Sequence, residues 1–366
     1  MDVRRHAQMA SLTAGNRRPV RLADIAKAAG VSHGTASNVF SRPEIVREEV
    51  RERVRAAAEA MGYGGPDPKG RLLRAGKVNA IGVATAEPLS YFFDDPFARV
   101  MMAGISQACD ATGAGISLVS AANNEQLAWN IQSALVDGFI VFCIEGGSRL
   151  VELARERKLP FVALDLDSED GSVAAIGVDN IAGAGVAARH LTDLGHRRFA
   201  VMALPFADNR TGLVSAEQVR AATYAGTRDR LTGYFRELSR VGVDISKVPV
   251  YETANDVAST KAGLEIIFAS DTPPTAILAM SDRIALVALD WLSARGLSVP
   301  DDVSIVGFDG VPEAAVSEPP LTTIAQPIAE MGRLAVRAIL ESNGPVSRHQ
   351  LPVELIVRAS SASPRD

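Results

Sequence analysis

Two groups of residues carry the polar chemistry of this chain. The first lies in VSHGTASNVF, Val31 to Phe40, where Ser32, His33, Gly34, Thr35, Ser37 and Asn38 leave only Val31, Ala36, Val39 and Phe40 to offer a core. Hydroxyls, an imidazole and a carboxamide on one short segment are hydrogen-bonding chemistry, suited to reading another polar surface. The second group is Asp165, Asp282 and Asp309, each closing an apolar, strand-like run. Carboxylates at strand ends accept from hydroxyls or cationic groups of a small ligand. A helix N-cap or a satisfied loop group is the alternative for each, and Asp282, just before RIALVALDWL, has the strongest capping pattern. Tyr91, Phe92 and Phe93 follow the first strand-like run of the body and could stack on a ring face.

Catalytic patterns are weaker. GAGVAA, Gly183 to Ala188, mimics a dinucleotide fingerprint, but it follows GVDN, and no acidic residue closes a second strand about 20 residues on, so helix packing explains it better. Neither a P-loop nor G-x-S-x-G occurs. His190 and His196 lack clustered partners and read as surface or capping groups, and nothing nucleophilic accompanies the carboxylates of DLD. We expect no catalysis, no cofactor and no metal.

The elements that position the first group are short helices. RLADIAKAAG sets Leu22, Ile25, Ala26 and Ala29 at i, i+3, i+4 and i+7, one apolar helical face. Gly30 suits a left-handed C-cap, and Ser32 can cap the next helix, over about His33–Phe40, by accepting from the backbone of Gly34 or Thr35. Ala36, Val39 and Phe40 fall on one side of it; His33, Gly34, Ser37 and Asn38 fall on the other. In VREEVRERVRAAAEAMGY, the residues Val46, Val50, Val54, Ala57, Ala58 and Met61 mark the inner face of a third helix. Two short helices around a glycine turn are generic and also fit an ordinary αα-hairpin. As a helix-turn-helix, the second helix would present its polar side to a DNA major groove.

GGPDPKGRLLRAGK then breaks the third helix and sets Leu72 and Leu73 among Lys69, Arg71, Arg74 and Lys77. From Val78 onward strand-like and helix-like runs alternate, from NAIGVATA to VSIVGFD, which is parallel α/β architecture with helices on both faces, and the length accommodates two lobes. Ligands of such sheets bind beyond the carboxyl ends of the strands.

Bulk properties fit a globular chain of two or three domains: 366 residues, 47% hydrophobic and 22% charged. The longest apolar runs are too short for a transmembrane helix, MDVRRHAQMASLTAGNRR lacks the apolar core of a signal peptide, and the two cysteines, Cys109 and Cys143, have no paired spacing, which together point to a reducing cytoplasm. The net charge of −5 divides unevenly. Residues 1–77 carry 15 Lys+Arg against 8 Asp+Glu, and the rest carry 23 against 35, out of totals of 38 and 43. A basic head on an acidic body suits a polyanionic partner for the head, although a mixed solvated surface also fits.

RLADIAKAAGVSHGTASNVF, VRERVRAAAEAMGY and GPDPKGRLLRAG together resemble the headpiece and hinge of the LacI/GalR family of bacterial transcriptional repressors, with Asp24, Ala26, Ala29 to Ser32, Thr35 and Ser37 in register. FVALDLD, GVDNIAGAGVAARHLTDLGHRR, AILAMSDRIALVAL and VSIVGFDG…PPLTTIAQP extend the likeness over about 20–358, to a sensor domain similar to periplasmic sugar-binding proteins. The resemblance implies a basic arm (1–19), a helix-turn-helix domain (20–64), a hinge (65–77), a two-lobed effector and dimerisation domain (78–358) crossed three times by the chain, and a tail (359–366). It implies that the hinge folds on operator DNA, with Leu73 wedged into the minor groove. We expect Arg21, Ser32, Thr35, Ser37 and Arg71 to hold phosphates, and His33, Gly34 and Asn38 to face base edges of a near-palindromic operator. Ala36 stands where the family commonly has valine, and Asn38 where it commonly has arginine; an asparagine can bond adenine bidentately.

The family's effector contacts fall on Asp165, Arg230 and Asp309, and Ser281 replaces an asparagine of one member. Ala258 and Ile328 stand where that member has aromatic cleft residues, which puts a lactose-like effector in doubt. A sugar is the family's usual ligand, with a nucleobase or amino acid as alternatives. ASSASPRD after Arg358 has no heptads, so we expect a homodimer. A solute-binding protein and a nucleotide-dependent enzyme are the competing readings; the basic head disfavours the first.

Overall fold

In a computed structural model, residues 20–65, 77–85, 87–120, 124–142, 149–164, 174–208, 210–341 and 348–365 are described. The chain forms two compact units, Met1–Val78 and Asn79–Asp366.

In the first unit the apolar spacing becomes α1 (Leu22–Ala28), α2 (His33–Ser41) and α3 (Glu48–Ala60), with a 3-10 turn at Pro43–Ile45. Gly30 adopts φ +66°, its N–H bonds to Lys27 O, and Val31 N–H bonds to Ala26 O. That pair of bonds closes α1 and frees the chain to turn at once into α2. Leu22, Ile25, Ala26, Ala29, Ala36, Val39, Val54 and Ala58 form the buried core. Met61, expected on the inner face, is exposed. Tyr63 packs in its place, edge-on to Phe40 with 5.7 Å between ring centroids. The helix ends before Met61, so the helical periodicity no longer aims that side chain inward.

The second unit has two α/β lobes. The first runs β1 (Ala80–Thr85), α4 (Tyr91–Asp94), α5 (Pro96–Thr112), β2 (Gly115–Ser120), α6 (Asn124–Ser133), β3 (Gly138–Phe142), α7 (Arg149–Glu156), β4 (Phe161–Leu164) and β5 (Ala174–Val178). The second runs α8 (Asn180–Asp193), β6 (Phe199–Ala203), β7 (Gly212–Leu213), α9 (Ala216–Arg220), α10 (Ala225–Arg240), β8 (Val250–Glu252), α11 (Val257–Phe268), β9 (Ala276–Ala279), α12 (Asp282–Ser293), β10 (Ser304–Asp309), α13 (Pro312–Val316) and β11 (Thr322–Ala325). The chain then returns through α14 (Ile328–Leu340) and β12 (Arg348–Leu351) to the first lobe and crosses once more to β13 (Glu354–Ile356). The sheet orders are β12-β5-β4-β3-β1-β2, all parallel, and β13-β11-β10-β9-β6-β8-β7, parallel except at its two edges. Three crossovers therefore join the lobes, at β5–α8, β11–α14 and β12–β13.

The glycines of GAGVAA lie inside α8 and serve packing. A methyl group at Gly183 would sit 3.1 Å from Val353 and 3.2 Å from Phe308. Opposite them, Gly233 of α10 lies against the carbonyl of Ile181. This close approach of two helix backbones requires small residues.

Two expectations change here. His196 is 1% exposed, neither a surface nor a helix-capping group; its ring bonds Thr275 Oγ1 at 3.0 Å and Ala362 O at 2.9 Å. Burial lowers its pKa, as it does for His190, whose Nε2 lies 2.9 Å from Ser361 Oγ. Residues 359–365 are accordingly part of the second lobe. Fully buried Ser360 accepts from Thr322 N–H and donates to Ile305 O, stitching β10 to β11.

Candidate DNA-reading helix and effector cleft

Ser32 caps α2: its Oγ accepts from Thr35 N–H at 3.0 Å and lies 2.8 Å from Thr35 Oγ1. This local pairing fixes the start of the helix, because one of its orphan amides is satisfied. Ala36 and Val39 anchor the helix to the core, while Ser32, His33 and Gly34 are exposed and Thr35, Ser37 and Asn38 are half-buried. Arg21, at the N-cap of α1, is exposed. Arg71 and Leu73 lie outside the described residues.

In the body, the strand ends of the second lobe gather a buried polar cluster. Arg230, on α10, is 4% exposed. Its Nε donates to Asn180 Oδ1 at 2.9 Å, Nη1 donates to Met280 O, and Nη1 stands 3.8 Å from Asp309 Oδ1. Its guanidinium lies over the Phe308 ring, 3.8 Å from the centroid. Asp309 holds φ +129°, rare for a side-chain-bearing residue, and accepts from Gln326 Nε2 at 2.8 Å. Burial pushes the Asp309 carboxyl well above its usual range, against the pull of Arg230. Sequence reasoning missed Asn180 and Gln326, although both lie inside motifs already quoted, Asn180 in GVDN and Gln326 in PPLTTIAQP.

Asp282 and Ser281 divide the work expected of one residue. The N-cap of α12 is Ser281, whose Oγ accepts from Ile284 N–H at 3.2 Å and donates to Asn255 Oδ1 at 2.8 Å. Fully buried Asp282 instead accepts from Gly310 N–H (2.7 Å), Val311 N–H (2.9 Å) and Thr323 Oγ1 (2.5 Å), tying the loop after β10 in place. Desolvation raises its carboxyl to about 6, although these three donors pull it down.

The aromatic trio separates. Phe92 is 2% exposed and belongs to the core, Tyr91 packs half-buried against that core, and Phe93 is 65% exposed. Asp165 lies outside the described residues. Ala258 is exposed and Ile328 is buried.

The cleft also contains residues whose pairing has no local sequence signal. Asp95, at the N-cap of α5 in the first lobe, bonds Asn255 and Arg283 of the second. These partners are 160 and 188 residues away along the chain, so no window of sequence brings them together.

The headpiece matches the model of the bacterial regulatory proteins of the lacI family over residues 21–65, and residues 188–361 match a periplasmic binding protein-like domain. An HTH-type transcriptional regulator of Mycobacterium tuberculosis is 36% identical over 359 residues, covering 95% of this chain and 98% of the relative. The HTH-type transcriptional regulator IpsA of Corynebacterium glutamicum is 33% identical over 331 residues, covering 87% of this chain and 90% of the relative. Among solved structures, the lac repressor dimer bound to operator and the anti-inducer ONPF superposes with a TM-score of 0.73 at 26% identity, over 94% of this chain and 100% of that one. The transcriptional regulator CelR in complex with cellobiose superposes at 0.68 with 27% identity, over 94% of this chain and 100% of that one. An exposed polar helix held by a three-helix core, a two-lobed α/β body and full-length similarity to transcriptional regulators lead to one conclusion: this chain belongs to the lacI family of bacterial regulatory proteins and is a DNA-binding transcriptional regulator.

Proposed function

We propose that the protein is a homodimeric repressor whose two headpieces bind the half-sites of a near-palindromic operator, and whose affinity for that site is set by a polyhydroxylated small molecule, a sugar or close relative, held between the lobes. The observation that carries this reading is the Arg230 cluster: Asn180, Asp309, Gln326, Ser281 and Asn255 supply paired donors and acceptors at the ends of parallel strands, the polar lining that hydroxyl groups require. The cellobiose complex of CelR and the operator-bound dimer of the lac repressor support it by likeness.

On DNA, Arg21, Ser32, Thr35, Ser37 and the hinge residue Arg71 hold phosphates, which sets register. His33, Gly34 and Asn38 face base edges, and Leu73 wedges into the minor groove. Asp165 joins Arg230 and Asp309 at the effector. The arm, headpiece, hinge and body divide at 19, 64 and 77. The protein works in the cytoplasm, on the nucleoid, and catalyses nothing. Effector and operator then change each other's affinity by the same factor.

The test pairs two titrations on the full-length protein. Sugars and polyols are screened by thermal shift, since a ligand of the native state raises stability by mass action. A compound that stabilises the protein should also change its affinity for a promoter fragment, and that affinity should fall with salt at a log–log slope of about −0.9 for each phosphate neutralised. Salt-insensitive binding, or a stabilising ligand without effect on DNA, contradicts the proposal.

A further inference from the structure

One carboxylate is shared between the two lobes. Asp95 is 1% exposed. Its Oδ1 accepts from Ala98 N–H at 3.1 Å and so caps α5 of the first lobe. Its Oδ2 accepts from the second lobe twice, from Asn255 Nδ2 at 3.1 Å and from Arg283 Nη1 at 3.3 Å. Asn255 is itself held by its backbone and two partners: its φ of +54° fixes the turn after β8, its N–H donates to Thr253 Oγ1, and its Oδ1 accepts from Ser281 Oγ. Ser281 belongs to the proposed effector site. An unbroken chain of hydrogen bonds thus runs from the start of α12, through Ser281 and Asn255, to Asp95 and the start of α5. On the same side of the cleft, Arg99 of α5 pairs with Glu313 of α13, a second bridge between the lobes.

We propose that Asp95 is the latch of the cleft. Its two oxygens belong to different lobes, so the lobes cannot separate without stripping a buried carboxylate of a charged and a neutral donor together. Such a group is costly to leave unpaired. The latch therefore sets the balance between lobe arrangements. A ligand that engages Ser281 or Asn255 acts on it directly, through the hydrogen bonds that aim Asn255. This last step rests on the effector reading of the cleft; the latch itself does not.

The decisive variant is Asp95→Asn. It keeps an acceptor for Ala98, so α5 stays capped, but turns an amide toward Asn255 and Arg283. Asn255 can flip its own amide in response, whereas Arg283 has no acceptor to offer. Arg283→Gln removes the charged partner and leaves Asp95 intact. Spin labels carried by non-natural residues at Asp110 and Ser239, one exposed position on each lobe, report the interlobe distance by pulsed electron resonance in the full-length protein. The distance distribution should lengthen and broaden in both variants. It should stay at the wild-type value in Glu330→Gln, which loosens an ion pair on α14 within the first lobe. Wild-type distributions in both Asp95→Asn and Arg283→Gln overturn the latch. A shift in both variants, with no response of the wild type to any sugar or polyol, sustains the latch and counts against the effector reading alone.

Discussion

Helix α2 keeps Ser32, His33 and Gly34 in water, whereas the body holds Asp282, Asp309 and Arg230 almost wholly out of it. Apart from the capping Oγ of Ser32, these exposed positions are cheap to fill and easy to replace, because water satisfies their polar groups until a partner arrives. The buried groups are satisfied only by one another: three donors converge on Asp282, and Asp309 faces both Arg230 and Gln326. The contrast teaches that a reading surface can change its specificity without touching the fold, whereas a sensing cleft built from buried pairs cannot. The headpiece relies on Ala36 and Val39 for its rigidity and leaves its polar face free. In the cleft, the polar residues are themselves part of the scaffold.

The largest effect should follow Arg230→Ala, which strands the buried carboxylate of Asp309. Urea denaturation of the full-length protein should show the body destabilised by about 3–5 kcal/mol, the range for breaking a buried pair. A loss under about 1 kcal/mol would place this cluster with the solvated groups of α2 and erase the contrast.

Asp282→Ala should come next. It leaves Gly310 N–H, Val311 N–H and the Thr323 hydroxyl without their shared acceptor, at a cost of about 3 kcal/mol in the same experiment. Asp282→Asn sharpens the point. Its oxygen can still accept from both backbone amides, and its NH2 can donate to Thr323, whose hydroxyl then reverses. At neutral pH this variant should match or exceed the wild type in stability.

The same pair gives a pH test. Asp282 is raised to about 6 in the folded protein, above its unfolded range near 4. A raised carboxyl supplies stability below its unfolded pKa and loses it as pH rises through the folded value. The melting temperature of the wild type relative to Asp282→Asn should therefore fall between about pH 4 and pH 6. A flat difference across that window would show that the three donors outweigh desolvation.

Smaller still is Ser32→Ala. It removes the cap of α2 and should cost the headpiece about 1 kcal/mol in hydrogen-exchange protection of α2. A cost like that of Asp282→Ala would mean that the exposed face is also scaffold.

How far these features were legible depended on range. Gly30, Ser32 and the apolar spacing of Leu22, Ile25, Ala26 and Ala29 act within one or two helical turns, so local pattern placed α1 and α2 closely. The alternating runs of the body gave its fold class for the same reason, because strands buried on both faces read as continuous apolar segments. Local pattern failed where a neighbour in space decided the outcome. Ser281 took the cap that Asp282 seemed to offer, because Asp282 was drawn to the loop after β10 and to β11. Phe92 went into the core while Phe93, one position on, stayed in solvent, since a single helical turn cannot aim three adjacent rings at one cleft. His196 found its partners 79 and 166 residues away, and Asp95 found its own across the lobes.

The claim that α2 reads base edges with an exchangeable face is tested most directly by selecting binding sites from random duplex DNA, with the full-length wild type and with His33→Ala and Asn38→Ala in parallel. The account predicts a near-palindromic site for the wild type, relaxed at one position of each half-site in each variant, with about 1–3 kcal/mol of discrimination lost where a bidentate contact is removed and with melting temperatures unchanged. Selection of the same fully specified site by all three proteins would contradict it.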